Sequence, residues 1–247
     1  DEDEHALKTA EEKLKLLSCR VCLAQRNFRD IDKAFHSCGA ESADVILFDL
    51  GMSSIQLEYS GRGFSFKSHE PLLMTMRTKP ALGALTAYEI VNYWKEEEIV
   101  EILREYGEEP CARAIARAIV RTRSENLIGY ADELAEIVEK VTLKRGRQRI
   151  SPATKTFQAL RIAVNDELNA LSEGLKKGLD ILKKDGRMGV ISFHSIEDRI
   201  VKKFFKSSEK EGIISIFTKK PIVPTRAEVM ENPRARSAKL RIIQKII

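Results

Sequence analysis

The chain has 247 residues, 43% hydrophobic and 32% charged, which sets it among folded proteins with a sizeable core and apart from disordered or collagen-like chains. No apolar run approaches the ~20 residues that span a bilayer, and the acidic opening Asp1-Glu2-Asp3-Glu4 is unlike a secretory signal, so no membrane partner is expected. The net charge of +5 is uneven: from Arg199 onward thirteen Lys/Arg stand against four Asp/Glu, a net of +9 on a body of −4, which suits contact with a polyanion or a solvated lysine-rich tail.

Residues 2–17 read as a helix, with Leu7, Ala10, Leu14 and Leu17 at helical spacing. A strand candidate follows at 20–25, then a turn at Asn27-Phe28-Arg29-Asp30 into a short helix ending near Gly39. Cys19 and Cys22 form a C-x-x-C pair, but His36-Ser37-Cys38 does not supply the second ligand pair of a zinc site. No metal is expected, and the cysteines read as the reduced thiols of a cytosolic protein. Residues 44–49 are an apolar run read as a central strand buried on both faces. Asp49 stands where it ends, and Gly51, Ser53 and Ser54 turn the chain. Ligand crevices in open parallel sheets lie beyond the carboxyl ends of the strands, so Asp49 either touches a ligand there or caps the turn.

Residues 59–80 read as a long ordered loop, and loops of that length inside a domain are commonly functional. Its most distinctive piece, Gly61-Arg62-Gly63-Phe64-Ser65-Phe66, either grips a nucleotide by stacking and phosphate contact or plugs a hydrophobic gap. From Thr86 to about Thr142 the pattern is helical: Thr86 and Glu89 make a capping box, and Ile99, Ile102 and Leu103 share one face. Ala112, Ile115, Ala116 and Ile119 share another, with Arg113, Arg117, Arg121 and Arg123 around it, and residues 132–141 form a further helix. Residues 144–149 carry four positive charges around Gly146. Ser151-Pro152 then opens what reads as one long helix, apolar at Phe157, Leu160, Val164, Leu168, Leu171, Leu175, Leu179 and Leu182 and stopped by Asp185-Gly186. A buried strand at 188–193 ends in His194-Ser195, Ser195 and Asp198 cap a helix through Phe205, and 240–247 is a last strand.

Two strand ends therefore carry polar groups, Asp49-Leu50-Gly51 and Ser192-Phe193-His194-Ser195, and they face one crevice if the strands are neighbours. A Ser/His/Asp hydrolase lacks support because G-x-S-x-G is absent, and a dinucleotide enzyme because G-x-G-x-x-G follows no strand.

The run Asp49-Leu50-Gly51-Met52-Ser53-Ser54-Ile55-Gln56-Leu57, followed by Arg62-Gly63-Phe64-Ser65-Phe66, resembles the signature of the bacterial small-subunit ribosomal RNA cytosine-N4 methyltransferases, the MraW/RsmH family. Tyr106-Gly107-Glu108-Glu109 and the stretches 114–120, 152–168, 192–199 and 232–241 extend the resemblance, in order, over nearly the whole chain. It implies an α/β fold with a class I, Rossmann-like, S-adenosylmethionine-dependent methyltransferase core at 1–80 and 150–247. An all-helical substrate-recognition subdomain at 81–149 would be inserted after the fourth strand. The implied activity is methyl transfer from S-adenosylmethionine to the exocyclic N4 of a cytidine in 16S rRNA of the small subunit, in the cytoplasm. Family cofactor contacts fall on Asp1 (ribose), Phe28 (adenine), Asp49 and Gln56. Asp49 is also the candidate catalytic acceptor. Ser53, Ser54, Arg62, Phe64, Phe66, His194, Arg234 and Arg236 are the RNA-side candidates, with His194 alternatively a capping residue.

Two departures qualify the resemblance. Where many members read Pro-Leu-Asp-Met-Arg-Met, this chain has Pro71-Leu72-Leu73-Met74-Thr75-Met76, so no catalytic role is carried over from that Asp. The family's first two strands and Gly-rich cofactor loop should also precede Asp1. The chain is therefore expected to be truncated, with Asp1 a loosely held terminus, unpaired edges on the strands at Cys22 and Ile46, and weak cofactor binding. A non-catalytic ribosome-binding or assembly protein on the same fold is the alternative. A DNA amino-methyltransferase would carry an Asp/Asn-Pro-Pro-Tyr-like motif, which Asp49-Leu50-Gly51-Met52 is not.

Overall fold

Val45 to Phe48 extend as β1 (Ala43–Asp49), one of four strands in a computed structural model that describes residues 1–142 and 151–247. The others are β2 (Leu182–Ser192), β3 (Ile214–Ile216) and β4 (Lys239–Lys245), in the order β1-β2-β4-β3. β1 runs parallel to β2, and β4 runs antiparallel to both β2 and β3, so the sheet is mixed. The expected central strand is an edge strand among those described, with the unpaired edge expected at Ile46. Side chains alternate across a strand: Ile46 and Phe48 are buried, but Val45 and Leu47 are 70% and 62% exposed. β1 is thus buried on one face, where Leu171, Leu175 and Leu179 join Ile46, Phe48, Met188 and Val190 in a core.

Those leucines belong to α9 (Glu167–Ile181). A Cβ at its Gly178 would stand 3.1 Å from both Phe48 and Met188, so the glycine is what lets this helix lie close on the sheet. The expected single helix over 151–182 is two, because Asp166 adopts a left-handed conformation (φ +51°) between α8 (Ala153–Asn165) and α9. Asp185-Gly186 does not stop a helix; it lies inside β2, near the point where the register with β1 shifts.

The first fifty residues complete this unit, which comprises Asp1–Gly51 and Leu168–Ile247. α1 (Glu4–Leu14) is capped by Asp3, whose carboxylate accepts from the His5 N–H at 2.9 Å. No strand forms at 20–25. Instead the Asp1 ammonium donates to the Ala24 carbonyl (3.3 Å) and the Arg26 N–H to the Asp1 carbonyl (3.0 Å), so the first residue is tied down rather than loose. Cys22 is disulfide-bonded to Cys38, just past α2 (Ile31–Ser37), which overturns the expectation of reduced thiols at that pair; Cys19 and Cys111 are free. α10 (Ser195–Lys210) and α11 (Arg226–Glu231) lie between β2 and β4 in sequence.

The second unit, Met52–Glu167, is helical: α3 (Ser54–Tyr59), α4 (Ala87–Tyr93), α5 (Glu96–Glu105), α6 (Ala112–Glu125), α7 (Ala131–Thr142) and α8. It is larger than the expected 81–149 because the preceding loop packs into its core through Phe64, Leu72 and Met74, and α8 through Phe157 and Leu160. The basic stretch at 144–149 lies outside the described residues. Among the described residues no helix is long and apolar enough to cross a membrane.

Candidate active site

β1 and β2 are parallel neighbours with Asp49 opposite Ile191, and the Leu50 N–H donates to the Ile191 carbonyl at 3.1 Å. Asp49 and the residues after Ser192 therefore share one sheet edge, the place where open α/β sheets bind ligands. Gly51 turns the chain there at φ +91°, a conformation that favours glycine, and a Cβ on it would face the Phe193 ring at 3.6 Å. The Asp49 side chain retains solvent access, yet the protein around it withdraws enough water to push its carboxyl above the usual range. A carboxylate in such a setting is a stronger hydrogen-bond acceptor and a better base than a solvated one.

His194 is the N-cap of α10. Its Nδ1 accepts from the Glu197 N–H (3.4 Å), while the buried Glu197 carboxylate accepts from the N–H groups of Phe193 (2.8 Å) and His194 (3.3 Å). With Nδ1 accepting, a neutral ring carries its proton on Nε2, a buried atom that makes no hydrogen bond although Glu197 Oε1 is 3.2 Å away. The capping reading of His194 accounts for these contacts.

Phe28 opens a short 3-10 turn capped by Asn27. Its ring meets Phe48 edge-on at 6.0 Å, and a Cβ on Gly174 would come within 2.9 Å of it, so α9 can carry nothing larger there. Lys177 of the same helix donates to the Arg29 carbonyl at 2.7 Å and sits 3.7 and 3.6 Å from Asp30 and Asp32, holding the turn. Asp1 is joined to the adjoining segment through Ala24 and Arg26, and Asn27 donates to Glu2 at 2.8 Å. The acid and the aromatic ring thus stand on two segments tied to each other.

In the helical unit, Ser53 and Gln56 form the capping box of α3. Ser53 Oγ accepts from the Gln56 N–H, and Gln56 Oε1 from the Ser53 N–H. Gln56 is buried and Ser54 exposed on the first turn. Arg62 and Phe64 face the interior rather than a substrate: the Arg62 guanidinium donates to the carbonyls of Thr75 (2.9 Å) and Met76 (2.7 Å) and lies over the Phe64 ring. Phe66 packs edge-on against Phe157 at 5.5 Å. The gap-filling reading of this loop therefore holds at Arg62, Phe64 and Phe66. Arg234 and Arg236 are both exposed on a 3-10 turn, Pro233–Ser237, in the sheet-bearing unit.

Residues 1–246 match the family described as the MraW methylase family. The chain belongs to that family. Relatives similar to it include proteins named "Ribosomal RNA small subunit methyltransferase H" from Persephonella marina (48% identical), a Sulfurihydrogenibium species (46%) and Brevibacillus brevis (41%). Each match covers 100% of this chain and 82–83% of the relative. The mixed sheet with its helices is thus the α/β class I methyltransferase fold expected of an MraW-family methylase.

Three residues of the site escaped the sequence reading. Gly174 admits Phe28, Glu197 holds the turn after β2, and Phe193 packs beside Gly51. Glu197 stands at capping-box spacing from His194, but a His in place of the usual Ser or Thr hides the signature in sequence. Gly174 and Gly178, four apart on an otherwise apolar helix face, were a legible sign of close approach.

Proposed function

We propose that the protein transfers a methyl group from S-adenosylmethionine to the exocyclic N4 of a cytidine in 16S rRNA of the small ribosomal subunit, in the cytoplasm. The observation that carries this reading is Asp49, a carboxylate of raised pKa at the shared carboxyl edge of β1 and β2. The names of the relatives, all small-subunit rRNA methyltransferases, support the substrate.

The residues present fit the cofactor. Phe28 offers an apolar ring for a purine, and Asp1, held on the adjoining segment, offers a carboxylate for ribose hydroxyls. Gly51 keeps the strand-end turn free of a side chain where a ligand would approach. When bound, the cofactor supplies an electrophilic sulfonium methyl. The protein's task is then to position a poor nucleophile, because the cytosine amine's lone pair is delocalised into its ring. Asp49 accepts an N–H of the amine, orients its lone pair, and takes up the proton that the nitrogen must lose. The target base must leave its stack to reach this edge.

The test is mass spectrometry of 16S rRNA from cells with and without the intact gene, and from cells carrying Asp49→Ala. One cytidine should lose its N4-methyl in the deletion and in the Asp49→Ala strain alike. An unchanged modification pattern in the deletion strain would sink the reading, and a normal methylation level in Asp49→Ala would remove Asp49 from the chemistry.

A further inference from the structure

α10 carries a line of exposed basic side chains. Arg199, Lys203, Lys206 and Lys210 recur at i, i+4, i+7 and i+11, which places them along one side of the helix, with Lys202 beside them; all five are exposed. The opposite side, Val201 and Phe205, is buried in the sheet core. The acids of the helix do not pair with its lysines. Glu197 is buried in the cap, Asp198 is bonded to Arg241 and Lys239, and Glu209 accepts from the Ile216 N–H at 3.0 Å. Among the described residues, Lys202, Lys203, Lys206 and Lys210 make no ion pair. Like charges three and four apart oppose helix formation unless a counter-charge sits on them.

The line also has direction. α10 starts at the sheet edge that carries Asp49, since β2 ends opposite β1 and His194 caps the helix immediately beyond it. From Arg199 to Lys210 it runs about 16 Å along the axis. Successive charges stand roughly 5–6 Å apart, a spacing near that of consecutive phosphates on an extended strand. No exposed apolar or aromatic side chain accompanies them on α10, so the anchor that protein partners need is missing.

We propose that α10 is a rail for the sugar-phosphate backbone of the substrate RNA, holding the nucleotides that flank the target base as the strand leaves the active-site edge. This rests on the reading of the protein as an RNA methyltransferase. The test compares the protein, expressed from its complete gene, with the triple variants Lys203→Ala/Lys206→Ala/Lys210→Ala and Lys203→Arg/Lys206→Arg/Lys210→Arg. The probes are protein-free 16S rRNA and intact small subunits. The alanine variant should bind protein-free rRNA about tenfold more weakly at low salt, with a salt slope shallower by about 2, from ~0.7 per lost single-strand contact. The arginine variant should restore both. The KM of the alanine variant for RNA should rise with kcat kept, and its melting temperature should stay unchanged. Unaltered affinity and slope on protein-free rRNA would overturn the proposal. So would a loss confined to intact subunits, which would assign the line to a ribosomal protein. Absence of methyl transfer by the unmutated protein would instead count against the proposed function, and the binding measurements would still decide the rail.

Discussion

The raised pKa of Asp49 gives this residue a thermodynamic sign opposite to that of a structural carboxylate. Its folded form holds a proton more tightly than its unfolded form, so ionised Asp49 opposes folding at neutral pH. That penalty grows as pH rises from the ordinary carboxylate range through the folded pKa and vanishes below both. Asp49→Asn should therefore melt above the unmutated protein at pH 7 and level with it at about pH 3. A lower melting temperature at pH 7 would show that the carboxylate supports the fold. Arg62 is the contrasting residue. By type it suits a phosphate, but two backbone carbonyls 13 and 14 residues away claim its guanidinium, which no local pattern announces.

At the scale of elements, the joint between α10 and β4 rests on Asp198. Its carboxylate receives Arg241 Nε at 2.7 Å, Arg241 Nη2 at 3.2 Å and Lys239 Nζ at 3.3 Å, and the Asp198 and Arg241 side chains are only 13% and 11% exposed. Burial alone would raise its pKa; the hydrogen bonds and charges of Arg241 and Lys239 outweigh that and hold it below the usual range. Asp198→Ala should cost about 3 kcal/mol at pH 7, because it leaves a guanidinium poorly paired. The sign here is the ordinary one: stability is fully present above the unfolded carboxylate pKa and is lost as pH falls through the folded one. Chemical denaturation of both proteins at pH 7 and at about pH 2.5 checks this, and a constant difference between the two pH values would show that the charge is not what matters. The sequence marked Asp198 as a cap. Its true partners lie 41 and 43 residues downstream, beyond the reach of a capping rule.

Over the whole molecule, charge is divided by region, with a net of +9 from Arg199 onward against −4 before it. Arg234 and Arg236 stand exposed on their own turn, separate in sequence from the α10 line. Replacing both by alanine should weaken binding to 16S rRNA and flatten its salt dependence by up to ~0.7–0.9 per lost contact. The effect should add to that of the α10 variant, as independent sites do. An unchanged slope measured by fluorescence anisotropy would mean that the two arginines face elsewhere.

The sequence by itself determined the local structure and the kinship. The capping box at Thr86/Glu89 and the buried faces of α5 and α6 depend on residues at most one or two turns apart. The extended family signature identified the methylase. Only the tertiary structure decided that Val45 and Leu47 of β1 are exposed, and that Cys22 meets Cys38. It also decided that the loop around Phe64 belongs to the helical core and that Asp166 divides one apolar repeat into two helices. Periodicity states which side chains avoid water, but not which distant segment covers them, and strand order, loop burial and shared charges are settled by those long-range partners.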